Sequence, residues 1–214
     1  MTTAARRRLR EDWVDIAATV LLALATVATA WSGYQASRWN GEQAATAGRT
    51  NAARINSTKA SSLANAQTEI DVATFTQWVD AYAQGDSELA AFYLRRFRPE
   101  FKPAVTAWIA TRPLKNPDAP LTPFAMPQYK LAAREDAERY DAQAEVLAAK
   151  VRLDIQRSTN YVLAVVLFAA TLFFAGMSAK LPTPRLRLAL LIMGLVVFTG
   201  ALIWIGTSPV SVSV

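Results

Sequence analysis

The sequence predicts an all-α membrane protein: three transmembrane helices, with an antiparallel helical stalk and a small helical head between spans 1 and 2. Three observations lead there. Of 214 residues, 52% are hydrophobic and 19% charged, and the mean hydropathy of +0.14 is high for a water-soluble chain of this size. The apolar residues gather in three runs, residues 14–31, 161–179 and 188–205. Each is close to the ~20 residues that cross ~30 Å of hydrocarbon at a rise of ~1.5 Å per residue. Between the first two runs the chain is rich in Ala, Gln, Glu and Arg, good helix formers, without strand-like alternation.

The partition follows from these runs. Residues 1–12 form a basic tail, 13–32 the first span, 33–159 the stalk and head, 160–179 the second span, 180–187 a loop, 188–206 the third span, and 207–214 a tail. Amphipathic rings stand at the span ends: Trp13, Trp31 and Tyr34 on the first, Tyr161 on the second, Trp204 on the third. That is headgroup level in a bilayer. Ala28-Thr29-Ala30 offers an A-x-A-like cleavage site, but the long apolar run and the helical stretch after it read as an uncleaved anchor. Arg6, Arg7, Arg8 and Arg10 precede span 1, and Lys180, Arg185 and Arg187 fill the loop between spans 2 and 3. Both groups fall on one side if all three runs span. The positive-inside rule makes that side cytoplasmic and residues 33–159 extracytoplasmic, in a multi-pass protein of the cell inner membrane.

Within span 1, Ala18, Ala25, Thr29, Ser32 and Ala36 form a small-residue stripe. It suits close helix packing, or a pore wall with Asp15 as a ring of charge at the inner mouth. Asp15, Glu11 and Asp12 also complement the positive end of their own helix. Span 2 runs into span 3 through Pro182-Thr183-Pro184, a short stiff connection that makes an antiparallel hairpin.

After span 1 no proline occurs before Pro99, so a long helix is expected, with Gly41 and Gly48 as points where it can bend. Ala45, Gly48, Ala52, Ile55, Ala66, Ile70 and Ala73 recur at a helical period. So do Ala133, Ala137, Tyr140, Ala144, Leu147, Val151 and Ile155, an a/d-like seam. An exposed Glu135–Arg139 pair is expected beside it. Two Ala-lined stripes, each continuous with a span, predict an antiparallel stalk. Alanine buries little, so self-association or another membrane protein is expected to supply the missing burial. In the head, Val72, Phe75, Val79 and Tyr82 predict an aromatic face. Asp86 or Ser87 caps a helix through Leu89, Phe92, Tyr93 and Phe97, ended by Pro99. Phe101, Val105, Trp108 and Ile109 form another, with Pro103 in its first turn. The prolines at 113, 117, 120, 123 and 127 predict an extended, polyproline-like linker.

Chemistry is sparse. The chain has no cysteine and no histidine, which excludes disulfides, thiolate zinc sites, cysteine nucleophiles and histidine acid–base catalysis. Ser57 and Lys59 lie two apart and share no helical face, and no phosphate loop, carboxylate metal motif or nucleophile elbow occurs. Asn56-Ser57-Thr58 is a formal glycosylation sequon, of a kind that arises often by chance. A non-enzymatic chain without cofactor or metal is expected. The net charge of +6 resembles that of a nucleic-acid binder until the charges are located. Residues 33–159 hold 16 cations against 14 anions, no field for a phosphate backbone. The densest cluster, Arg95, Arg96, Arg98 and Lys102, interleaves with Phe97 and Phe101. It is either an anion- or partner-contact site, or a solvated helix face balanced by Glu88 and Glu100.

The runs Gly33-Tyr34-Gln35-Ala36 with Trp39, Arg95-Arg96-Phe97-Arg98-Pro99-Glu100-Phe101, and Tyr161-Val162-Leu163 with Phe168 and Phe173-Phe174-Ala175-Gly176 resemble a group of uncharacterised bacterial inner-membrane proteins. The resemblance covers most of the chain and implies no activity. The span–helical ectodomain–span layout is also similar to bacterial chemoreceptor sensor regions, but a short loop and a third span replace the cytoplasmic signalling module. The leading expectation is an oligomeric or accessory subunit presenting a helical platform to envelope partners and to the bilayer, with no nucleic acid. The alternatives are a homo-oligomeric ion channel lined by span 1, and a ligand-sensing helical ectodomain.

Overall fold

The computed structural model describes the backbone of residues 3–211 and the side chains of residues 13–211. Among them are five α-helices and no strand: α1 Thr3–Ala83, α2 Ser87–Arg96, α3 Lys102–Ala110, α4 Ala132–Lys180 and α5 Pro184–Gly206, with a 3₁₀ turn at Pro123–Ala125. The chain is all-α, as its periodicity predicts. It divides into two compact units, Met1–Gly48 with Leu147–Val214, and Arg49–Val146. The side chains of Arg6, Arg7, Arg8, Arg10, Glu11 and Asp12 lie outside the described residues, as do residues 212–214 of the C-terminal tail.

The first unit holds the apolar parts of α1, α4 and α5, each long and apolar enough to cross a membrane. Only 17%, 28% and 22% of their most apolar windows are buried inside the chain. Val20, Leu24, Val27, Val166, Phe173, Val196 and Ile203 are therefore left facing outward. A water-soluble monomer rarely exposes so large an apolar surface, so lipid is the solvent these faces fit. This is a multi-pass membrane protein. Inside, Ala164, Phe168 and Ala201 make a small core with Ala28, Leu167 and Phe198 packed on it. Gly194 of α5 lies where the helices meet: a methyl there would stand 3.4 Å from Phe174 Cβ and 3.5 Å from Leu21 Cδ2. A methyl just fits, and a longer side chain would push α5 away.

The link from α4 to α5 is shorter than the expected 180–187. Only residues 181–183 are non-helical, because Pro184 opens α5 from its first turn. Ser178 and Arg187 close this hairpin reciprocally, Oγ donating to the Arg187 carbonyl at 3.1 Å and Nε to the Ser178 carbonyl at 3.2 Å. At the other end the chain after α5 folds back. Ser211 N donates to Gln35 Oε1 at 3.0 Å, Gln35 Nε2 to the Ser211 carbonyl at 3.4 Å, and the Tyr161 hydroxyl to the Pro209 carbonyl at 3.3 Å. Buried Gln35 thus satisfies both its polar atoms on one backbone, as burial requires.

α1 is continuous for 81 residues. The helix runs unbroken through Gly41 and Gly48. In the second unit α1 pairs antiparallel with α4. Ser57 Oγ donates to the Ala137 carbonyl at 3.0 Å, and Ala64 packs with Leu131 and Ala133.

The buried face of α1 is one residue away from the expected one. Thr46, Thr50, Ala53, Ala64, Asp71, Phe75, Trp78 and Ala81 are buried, while Ala45, Gly48, Ala52, Ile55, Ala66, Ile70 and Ala73 are exposed. A one-residue offset is ~100° of rotation. The apolar pattern pointed at the wrong face because the true seam carries hydroxyls and a carboxylate. On α4, Ala133, Ala137 and Ala144 are buried and Tyr140, Leu147 and Val151 half-buried, as the seam predicts. Ile155 is exposed instead, and Asp154, a three-residue step after Val151, takes the inner position. Arg157 explains how a carboxylate can sit there: its Nη1 donates to Asp154 Oδ1 at 3.2 Å, and its guanidinium lies 4.5 Å from the Trp39 ring centre. Arg139 pairs with Asp136 at 2.8 Å, three residues back, and not with Glu135.

The head follows its local signals closely. Asp86 caps α2, its carboxylate accepting from Leu89 N at 2.9 Å. Phe97 ends it before Pro99, and Pro103 sits in the first turn of α3. The proline stretch is not extended: Lys115 N to the Arg112 carbonyl, Ala119 N to the Asn116 carbonyl and Met126 N to the Pro123 carbonyl close successive turns. Ring packing sets the core. Phe101, fully buried, stacks on Phe124 at 5.0 Å between centres and meets Phe97, Phe75 and Tyr129 edge-on. Of the expected aromatic face only Phe75 is buried. Val72, Val79 and Tyr82 are exposed, and Trp78 fills the inner position.

Candidate functional site

The four cations singled out in the head do not form one site. Arg98 turns inward and donates from Nη1 to Asp71 Oδ2 at 2.9 Å, while its other terminal nitrogen pairs with Glu100. The Tyr129 hydroxyl donates to the same Asp71 oxygen at 3.1 Å, and Glu100 Oε1 accepts from Ala132 N at the start of α4 at 3.4 Å. Arg98 therefore ties α1, the α2–α3 junction and the first turn of α4 together. Asp71 is fully buried and its Oδ1 has no partner. Burial pushes its carboxyl above the ordinary value of 3.8, with Arg98 and the Tyr129 hydrogen bond working against that shift and Glu100 adding to it. Burial likewise raises the Tyr129 phenol. Arg96 lies over the Phe92 ring at 5.1 Å, Arg95 is exposed, and Lys102 is half-buried at the start of α3.

The span 1 stripe is spent inside the chain. Ala18, Ala25, Ser32 and Ala36 are buried, and Thr29 is half-buried with its hydroxyl donating to the Ala25 carbonyl at 2.7 Å. Asp15 pairs with Arg187 of α5.

Two surfaces remain open in the second unit. On α1, Ala52, Ile55, Leu63, Ala66, Ile70 and Ala73 leave an exposed stripe roughly a third of a turn from the α4 seam. Ile55, Leu63 and Ile70 are each more than half exposed. In the head, a groove of about 470 Å³ opens between Trp78, Val79 and Tyr82 of α1, Trp108 and Ile109 of α3, and the turn from Arg112 to Lys115. Trp78 and Tyr82 stack at 5.4 Å. Trp108 Nε1 donates to the Pro120 carbonyl at 2.6 Å, so the loop braces that wall. Sequence reading missed this groove. Its walls come from two stretches of the chain, residues 78–82 and 108–115, that only the fold brings together, and Trp78 breaks the apolar register that pointed to Val79. Among the described residues no group of three or more acidic side chains is placed to hold a metal ion. No protein-family model, curated protein or solved structure matches the chain.

Proposed function

We propose that this multi-pass membrane protein is a non-enzymatic, homo-oligomeric subunit of the bacterial inner membrane, with its N-terminus cytoplasmic. It presents residues 33–159 outside the cytoplasm as a helical platform for partner binding. The exposed α1 stripe carries the reading. It has the a/d-like spacing of a helix-packing seam, yet the seam with α4 lies on another face. A second copy embedded in the same bilayer is necessarily oriented the same way. A two-fold axis along the membrane normal then sets each stripe residue against its counterpart. The packing of Ala18, Ala25 and Ser32 within the chain favours this reading over a pore lined by span 1.

The absence of native cysteine makes the test clean. Single substitutions Ala52→Cys, Ile55→Cys, Ala66→Cys and Ile70→Cys in the full chain are oxidised in intact membranes. A bridge requires Cα atoms about 4.4–6.8 Å apart, so positions along the stripe should yield dimer bands while the seam control Ala53→Cys should not. A ladder without dimers at all four positions sinks the proposal.

A further inference from the structure

We propose that the head groove binds a small amphiphilic carboxylate, an anion with a flat aromatic or short acyl body. This inference stands apart from self-association. The volume of about 470 Å³ is in the range of small-molecule sites. Its walls are rings and aliphatic carbons: the Trp78–Tyr82 stack, Trp108, Val79, Ile109, Pro113 and Leu114. The indole N–H of Trp108 is already used on the Pro120 carbonyl, so this ring offers a ligand apolar surface. Polarity enters at one edge, where Arg112 and Lys115 line the groove. No acidic residue lines it, and neither cation has an ion pair among the described residues. An apolar slot ending in two unneutralised cations is complementary to a molecule with one anionic end.

The backbone gives a second, independent indication. Arg112 has φ of +54°, in the left-handed region, two residues past the last residue of α3. Glycine is the ordinary occupant of that position because it has no Cβ to clash. The Arg112 carbonyl then accepts from Lys115 N at 2.8 Å and Asn116 N at 2.9 Å, closing a turn that brings Lys115 back to the same edge. A cation complementing the negative end of α3 could sit anywhere in its last turn without this strain. The strained position is the one that sets Arg112 in the lining of the groove.

Phenylacetate, its neutral isostere phenylacetamide and the cation phenethylamine probe the site on the full chain in nanodiscs, read by calorimetry against empty nanodiscs. Phenylacetate should bind saturably, the amide about tenfold more weakly, and the amine not measurably. Arg112→Gly installs the residue that the turn prefers, so it preserves the fold while removing the charge, and should weaken phenylacetate about tenfold. Lys115→Gln should weaken it less. Equal affinity for acid and amide, unchanged binding in Arg112→Gly, or no phenylacetate heat at millimolar concentration overturns the proposal. Binding of polyglutamate in place of phenylacetate also overturns it, assigning the edge to an acidic protein surface.

Discussion

The head and the helix pair of the second unit are stabilised by different means. The head buries rings: Phe75, Trp78, Phe97 and Phe101, with Trp108, Phe124 and Tyr129 packed on them. The pair buries Ala53, Ala64, Ala133, Ala137 and Ala144, with the Ser57 hydroxyl reaching across to a backbone carbonyl. An aromatic side chain removes about 150–250 Å² from water, and a methyl removes a small fraction of that. The head therefore has enough apolar area to hold its short helices. The pair relies instead on close approach of two backbones, and its stability depends on nothing large intruding. The difference also locates the unused surface. The larger aliphatic residues of this part of α1, Ile55, Leu63 and Ile70, are the ones left outside the pair.

The largest effect should come from shrinking a ring. Phe101→Ala removes a fully buried side chain that touches four aromatic rings, Phe75, Phe97, Phe124 and Tyr129. It should cost about 3–5 kcal/mol, measured by denaturant unfolding of the full chain in nanodiscs followed by near-UV circular dichroism. A cost below about 1 kcal/mol would mean that the rings do not carry the head.

Enlargement, not truncation, should damage the pair. Ala144 is 1% exposed, so Ala144→Leu should destabilise by about 1–3 kcal/mol. The same change at exposed Ala142 should stay within about 0.5 kcal/mol. Equal effects at both positions would erase the distinction between seam and surface.

These two regions were legible in the sequence to different degrees, for a physical reason. The α2 cap at Asp86, the stop before Pro99 and the start of α3 at Pro103 are local backbone chemistry, and each falls where the residues place it. The spans are equally plain, because lipid demands long apolar runs. The α4 seam is readable as far as Val151 and fails where a buried Asp154 replaces an expected apolar residue. On α1 the failure is complete, since Thr46, Thr50 and Asp71 hide the true register while Ile55 and Ile70 advertise another. A seam that buries polar groups gains them partners only in three dimensions. Arg98 reaching back 27 residues to Asp71 leaves no spacing signature. The groove is beyond sequence reading for the same reason.

The finest test concerns that carboxylate, which joins head and pair through Arg98 and Tyr129. Burial raises the Asp71 pKa above 3.8. Between 3.8 and the raised value, the folded chain holds a proton that the unfolded chain has released. This group's contribution to stability is therefore greatest in acid, declines as pH rises through that window, and is constant above the folded pKa. Glu100 and Arg98 face the same site, so Asp71 is isolated by difference, with wild type compared against Asp71→Asn. An amide oxygen still accepts from Arg98 and Tyr129, which keeps the fold while removing the titration. The variant's unfolding midpoint, measured from about pH 4 to pH 7, should fall less steeply with rising pH than that of the wild type. Parallel curves would mean that Arg98 holds Asp71 ionised throughout, and that the ion pair outweighs burial at the junction of the two regions.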